Sequence, residues 1–341
     1  MASSPRIGLV AIGRNEGERL VRCLKSVPPG CPVVYVDSGS SDGSVVFAQS
    51  LGMSVEILPP GTRFTAALAR NAGWRRLLDE HPDLEFIQFV DGDCELDAGW
   101  MPRALGEMDA NAELCAVFGR RRERFPQATL YNALCDDEWN VPIGFVESCG
   151  GDVLFRVTAL RQANGYTDDL IAGEEPDLCL RLGLKGWKVR RIDAEMTLHD
   201  ADMHTARQQW LRARRAGHAY AEHVARHGAN AFPSWRRQVR SILIWALAIP
   251  AMLLALALVA LLTGWSWLAL IFIAGLLIYP LQAMRIARGK ARSGADKHFA
   301  AFYGSWMVIG KFAQFGGIAR YHWKTLRGGG HRIIEYKGAA R

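Results

Sequence analysis

The chain has 341 residues, half of them hydrophobic, with a formal net charge of +7. That length is enough for one large or two ordinary domains with a real core. The charge is uneven: residues 1–200 carry a net −9, residues 201–240 a net +6, residues 241–284 no charged side chain and residues 285–341 a net +10. Basic segments flanking an uncharged stretch suit anionic lipid headgroups and argue against nucleic acid as the partner.

All seven cysteines precede the uncharged stretch, with no CxxC pair or zinc-type spacing. They read as reduced thiols in a cytosolic compartment. Met1–Pro5 is short and polar, and the apolar run Ile7–Ile12 is too brief for a signal-peptide core.

Ile7–Ile12 reads as a first strand and Glu18–Val27 as an amphipathic helix ended by Pro28-Pro29-Gly30. Strands over Pro32–Val36 and Val55–Leu58 flank a short helix, Ser44–Leu51, and a helix over Thr65–Leu78 leads to a fourth strand, Phe86–Val90. This alternation predicts a mostly parallel sheet covered by helices. Neither GxGxxG nor GxxxxGK[ST] follows the first strand, which excludes a dinucleotide fold or P-loop. Pro102–Met108 reads as helix, Leu114–Gly119 as strand, Val157–Ala163 as helix, Ile171–Pro176 as loop, Asp177–Lys185 as helix and Trp187–Ile192 as a last strand. Residues 120–150 carry no clear period up to the turn at Gly150-Gly151-Asp152. A long basic helix covers Thr205–Arg226.

The uncharged stretch is long enough for two membrane spans of about 20 residues each. Spans over 241–262 and 265–284 form a hairpin broken at Thr263-Gly264, with Pro250 and Pro280 as kink sites. Arg236, Arg237 and Arg240 precede it and Arg285, Arg288, Lys290 and Arg292 follow it, which places both flanks in the cytoplasm. Residues 289–341 read as a basic, partly amphipathic segment, with His298–Tyr321 lying at the membrane interface and Arg327–Arg341 a loosely ordered tail. The domain expectation is 1–235 for the soluble part and 236–288 for the hairpin.

Chemistry concentrates in Asp91-Gly92-Asp93, at the end of the fourth strand. Open α/β sheets bind ligands at that edge. Two neighbouring carboxylates repel unless a cation joins them, and a hard ion such as Mg²⁺ or Mn²⁺ would also hold a diphosphate.

Further motifs stand in order around it: Asn15-Glu16, then Asp37-Ser38-Gly39-Ser40-Ser41-Asp42-Gly43, Ala69-Arg70-Asn71-Ala72-Gly73, Gly150-Gly151-Asp152, Gly173-Glu174-Glu175-Pro176-Asp177-Leu178-Cys179-Leu180-Arg181, and His199. On these motifs, residues 5–220 resemble family 2 glycosyltransferases of the GT-A type, and the apolar segment resembles the anchors of members that build bacterial cell-surface polysaccharides. The resemblance implies a GT-A α/β domain with a mixed, mostly parallel sheet, plus a C-terminal transmembrane hairpin. It also implies that Asn15, Glu16, Asp37 and Arg70 line the nucleotide pocket, with Gly151 and Glu174 at the donor. Asp93, Asp91 and His199 would ligate Mg²⁺ or Mn²⁺, and Glu175 would be the catalytic base, Glu174 being the open alternative. Ser38 stands where the family often has a second acid. Gln208-Gln209-Trp210 lacks the Arg of the processive synthases' motif, which speaks against a processive enzyme.

The implied activity is inverting transfer from a nucleotide-sugar, UDP-linked by expectation, to a hydroxyl of a lipid-linked or saccharide acceptor. The site would face the cytosol at the inner membrane, with membrane lipids as further partners. The alternatives are a polyprenyl-phosphate monoglycosyltransferase and a non-catalytic membrane scaffold.

Overall fold

A computed structural model describes residues 5–61 and 64–328. The chain forms two compact units, one holding the residues up to Ala128 and Cys135–Asp202, the other Thr129–Leu134 and the residues from Met203 on.

The first unit is built on nine strands: β1 (Ile7–Gly13), β2 (Val33–Asp37), β3 (Ser54–Ile57), β4 (Phe86–Asp91), β5 (Cys94–Leu96), β6 (Leu114–Glu123), β7 (Gly144–Val146), β8 (Val153–Arg156) and β9 (Lys188–His199). They form one mixed sheet in the order β3-β2-β1-β4-β8-β6-β9-β5, with β7 also on β9. Strands β3, β2, β1, β4, β6 and β9 run one way, and β8, β5 and β7 the other. Helices α1 (Glu18–Lys25), α2 (Ser44–Ser50), α3 (Ala66–Glu80), α4 (Trp100–Ala110), α5 (Leu130–Glu138), α6 (Val157–Ala163) and α7 (Glu174–Gly183) connect them. Strands β1, β2 and β4 are buried almost throughout, as their continuous apolar runs require. Gln88, a polar residue inside β4, accepts from Trp100 Nε1 at 2.7 Å and donates to the Phe89 carbonyl at 2.7 Å, so its burial leaves neither amide atom unmet.

Three elements outrun the sequence reading. Strand β6 continues past Gly119 through Arg120, Arg121 and Arg122 to Glu123, and β9 past Ile192 to His199. Charges end a strand in an apolar-run reading, but here they alternate with inward residues and pair across the ladder, as Arg122 does with Glu195 at 2.6 Å. Helix α7 begins at Glu174, not Asp177, because Pro176 lies in its first turn, where a missing N–H costs nothing.

The second unit is helical. Helix α8 (Ala206–His227) opens on a capping box between Thr205 and Gln208. After it come α9 (Pro233–Leu243), a π-helical turn Ile244–Ala248, and α10 (Ile249–Thr263). Within that π turn the carbonyl of Trp245 would look to residue 250, a proline with no N–H, and Tyr279 Oη donates to it at 2.9 Å instead. The chain reverses at Gly264 (φ 70°) into α11 (Ser266–Leu276) and α12 (Ile278–Arg292). Two helical stretches, Pro233–Thr263 and Leu270–Arg292, are long and apolar enough to cross a membrane. Leu261 is 80% and Leu270 67% exposed, so this apolar surface is not spent on a protein core. The flanking arginines lie on the helices themselves.

Helix α13 (Lys297–Leu326) is a single 30-residue helix, and Ala300, Gly304, Val308, Ala313, Ile318 and Tyr321 on it are buried. The interfacial segment expected over residues 298–321 is thus packed in this unit, and residues 329–341 of the basic tail lie outside the described residues. The packing depends on small side chains. A Cβ on Gly217 of α8 would lie 2.0 Å from the Gln314 carbonyl oxygen, and one on Gly317 would lie 2.0 Å from that of Arg214. Ala221, Ile242, Ile318 and Tyr321 complete the α8–α9–α13 core.

Gly317→Val should therefore lower stability by at least about 1–3 kcal/mol through forced separation of α8 and α13. Gly289→Ala in α12, where nothing lies within 4 Å, should cost nothing. Thermal melts in detergent check this, and equal losses would contradict the close approach.

Candidate active site

Sheet register assembles the site before any side chain is considered. Gly13 pairs with Asp37 and Ile12 with Asp91, so the ends of β1, β2 and β4 share one edge. Antiparallel β8 starts at that edge, which brings Gly151 and Asp152 there. At the far side, His199 pairs with both Cys94 of β5 and Glu123 of β6. The carboxyl ends of β1, β2, β4, β6 and β9 thus gather Asp37, Asp91, Glu123 and His199 where α/β sheets bind ligands.

Arg70 of α3 joins three acids from distant parts of the chain. Its guanidinium lies 2.8 Å from Asp91 Oδ1, 3.1 Å from Glu174 Oε1 and 2.7 Å from Glu175 Oε1, with its side chain only 3% exposed. A solvated helix position is ruled out. The last contact is close but out of line for a hydrogen bond, since Glu175 Oε1 is buried without an aligned donor. The neighbouring Asn71 donates to the Tyr166 carbonyl and to Asp168, clamping the segment before α7. Gly151 makes room for this arrangement, because a Cβ there would come within 2.3 Å of Arg70 Nη2 and 3.1 Å of Asp91 Oδ2.

Glu174 and Glu175 occupy the first turn of α7, where the helix dipole favours negative charge. Even so, burial pushes the Glu175 carboxyl up to about 8, helped by the charge of Glu174 and opposed by Arg70. Arg181, the last residue of that motif, is structural: it pairs with Asp177 at 2.9 Å and donates to the Ala163 and Gly165 carbonyls.

Asp93 and His199 meet on the other side of the Gly92 turn. His199 Nε2 is 3.3 Å from Asp93 Oδ2, and both side chains are buried. Nδ1 of the same ring faces Glu123 Oε2 at 3.5 Å, and that carboxylate is held by the Ala201 and Phe125 amides. Burial, then Arg121, hold the imidazole below its usual value, so it is neutral and able to ligate. Asp93, Cys94 and His199 group closely enough to share an ion, as do Asp91, Cys94 and Asp152. Burial pushes the Cys94 thiol well up. A carboxylate and a neutral imidazole form a donor set that fits a divalent metal ion. Asp91 falls in the other group, and its carboxylate faces Arg70 and Arg121, the latter at 3.3 Å.

Asp37 is 1% exposed. It accepts from Tyr35 Oη at 3.0 Å and from the Gly39 and Ser40 amides at 2.9 and 2.8 Å, so it closes its own turn. Asn15, at φ 54°, accepts from Ser41 N at 2.8 Å and ties the β1–α1 loop to the β2–α2 loop. Glu16 pairs with Arg19 at 2.8 Å.

The motif reading missed Arg121 and Glu123, and quoted Asp152 only within the Gly150-Gly151-Asp152 turn, without a role. Asp152 accepts from the Asp91 amide at 3.0 Å and from Thr197 Oγ1 at 2.8 Å, and lies 3.4 Å from Arg121 Nε. Trp139 sits between the Arg121 guanidinium, 4.8 Å from its ring, and the His199 ring at 4.6 Å. No signal in the sequence singles out the first two, which lie in the charged run Arg120-Arg121-Arg122-Glu123 that continues β6.

Arg70→Met would strand three buried or half-buried acids and should cost about 3–5 kcal/mol. Urea unfolding at neutral pH measures it, and a loss under about 1 kcal/mol would contradict the shared-cation account.

Comparison with known proteins agrees with this architecture. The Glycosyl transferase family 2 model matches residues 10–149, and the Glycosyl transferase family group 2 model matches residues 137–282. A pre-mycofactocin glycosyltransferase of Mycobacterium tuberculosis is 27% identical over 239 residues, 64% of this chain and 48% of that protein. An uncharacterized glycosyltransferase of the same species is 34% identical over 109 residues, 32% of this chain and 45% of that protein. The chain spans about half the length of these curated relatives. Among solved structures, the mannosyltransferase PcManGT from Pyrobaculum calidifontis, in complex with GDP-Man and Mn²⁺, superposes with a TM-score of 0.57 at 16% identity, covering 95% of this chain and 88% of that one. Sheet order, motif order and both family models converge, and the chain belongs to the family 2 glycosyltransferases, with a GT-A fold.

Proposed function

We propose that the protein is an inverting, metal-dependent glycosyltransferase of the inner membrane. It takes a sugar from a nucleotide-sugar, UDP-linked by our reading, to a hydroxyl on a lipid-linked or saccharide acceptor at the cytoplasmic face. The observation that carries this reading is the pairing of Asp93 with His199 at one strand edge that also holds Glu175, through Arg70 and Asp91. The Mn²⁺ and GDP-Man of PcManGT support the donor class.

In this reading the loops of Asn15, Glu16 and Asp37 receive the nucleoside, and Arg70 orients the donor while balancing Asp91. Asp93 and His199, with Asp91 nearby, would hold Mg²⁺ or Mn²⁺, which supplies positive charge to the leaving diphosphate when bound. Glu175 takes the proton of the acceptor hydroxyl. The freed oxygen bonds to the anomeric carbon as the bond to the diphosphate breaks on the opposite face. One displacement inverts the anomeric centre. The exposed helical hairpin, with arginines at both ends, anchors the chain with both flanks in the cytoplasm.

Transfer from UDP-sugars into membrane lipid extracts tests the metal. EDTA or Asp93→Ala should abolish nucleoside diphosphate release, with Mn²⁺ restoring the EDTA-treated enzyme only. Full activity under either condition overturns metal dependence.

The base carries its own expectation. A base must be deprotonated, so kcat/KM should rise with pH up to about 8, the value to which burial pushes Glu175. Glu175→Gln should lower kcat by about 10²–10⁴-fold. Unchanged turnover in that variant would point to a lipid-phosphate acceptor, which needs no base.

A further inference from the structure

The second unit carries a groove that the transfer chemistry does not use. It has a volume of about 360 Å³ and lies where α9 enters the apolar span. Val224 of α8 and Val239, Leu243 and Leu247 of the following helix line it. Arg236 and Arg240, one helical turn apart, line its upper end. Both are exposed, and among the described residues neither is paired with a carboxylate. Arg236 donates once, to the Ala229 carbonyl at 3.2 Å, which leaves most of its fork unspent. Arg237, between them in sequence, does not line the groove.

Two like charges a turn apart repel until an anion lies between them. A free phosphate would use the arginines but not the walls, whereas a purely apolar peptide would use the walls but not the arginines. A phosphate head joined to an alkyl chain uses both. The arginines stand at the start of the apolar helix, at headgroup height, and the groove descends from them along an exposed face that includes Ile244 and Leu247.

We propose that this groove is a binding site for one anionic glycerophospholipid, with the phosphate held by Arg236 and Arg240 and the first part of one acyl chain along Val239, Leu243 and Leu247. The groove is open at the surface and, at about 360 Å³, has room for a stretch of a single chain, which suits an ordinary bilayer lipid. The site rests on the membrane reading above, though not on the sugar chemistry. Its role is to fix the depth and rotation of α9 in the bilayer.

The chain is released from nanodiscs of equimolar phosphatidylglycerol and phosphatidylcholine and its retained lipids are weighed by native mass spectrometry. One phosphatidylglycerol should be retained in preference to phosphatidylcholine. Arg236→Gln with Arg240→Gln should cut that retention by roughly thirtyfold. Leu243→Trp, which keeps both arginines and fills the groove, should cut it as well, whereas Arg237→Gln should leave it unchanged. Equal retention of the two lipids, equal losses for Arg237→Gln and the double variant, or displacement of phosphatidylglycerol by equimolar polyprenyl phosphate would overturn the proposal. Recovery of the wild-type chain outside the membrane fraction of cells would instead overturn the membrane reading beneath it.

Discussion

The first unit depends on one buried cation. Arg70 brings α3 together with two segments far away in sequence: the end of β4 through Asp91, and the first turn of α7 through Glu174 and Glu175. Taking a guanidinium out of water is costly, and the acids around it are costly in turn, so the arrangement persists only as a set. Gly151 exists in this geometry as the absence of a side chain between Arg70 and Asp91. The same set gives Glu175 its proton affinity. Burial and Glu174 raise it while Arg70 restrains it, which yields a group titrating near neutral pH. Stability and proposed chemistry therefore draw on the same four side chains.

The Asp-Gly-Asp turn divides labour between its two acids. Asp91 ends β4 in register with Ile12 and faces the arginines, while Asp93 turns toward β9 and meets His199. Glu123 lies behind the imidazole, at Nδ1, as carboxylates commonly do behind metal-ligating histidines. That places the Asp93–His199 contact on one side of the turn and the Arg70 cluster on the other, with Asp152 bracing the backbone between them.

Much of this was legible in the sequence, and the failures have a common cause. Strands β1, β2 and β4 are apolar runs buried on both faces, and such runs stand out in any window. The helical hairpin was equally plain, down to its reversal at Gly264, because forty-four uncharged residues have few other uses. The outer halves of β6 and β9 were not legible. There Arg120–Arg122 and Asp193–Glu195 look like loop composition, and only cross-strand pairing makes them strand. Arg121, Glu123 and the pairing partner of His199 were hidden in those halves. On helix α13 the apolar residues suggested an interface with lipid, and the role of its glycines was not legible. Gly304 and Gly317 are in fact contact points at which helix backbones approach closely. Asp37 shows the remaining difficulty. One carboxylate both closes its own turn and stands at the expected nucleotide edge, and a motif cannot separate the two.

The central claim is that these side chains transfer a sugar from a nucleotide, with the apolar hairpin holding them at a bilayer. Its most direct test is nucleoside diphosphate release by the membrane-reconstituted chain across a panel of UDP- and GDP-sugars with Mn²⁺ and lipid extract. The account predicts that one sugar nucleotide is consumed, with matching appearance of glycosylated product of inverted anomeric configuration. Nucleotide binding without release from any member of the panel would contradict it and would leave a membrane scaffold that keeps the fold alone.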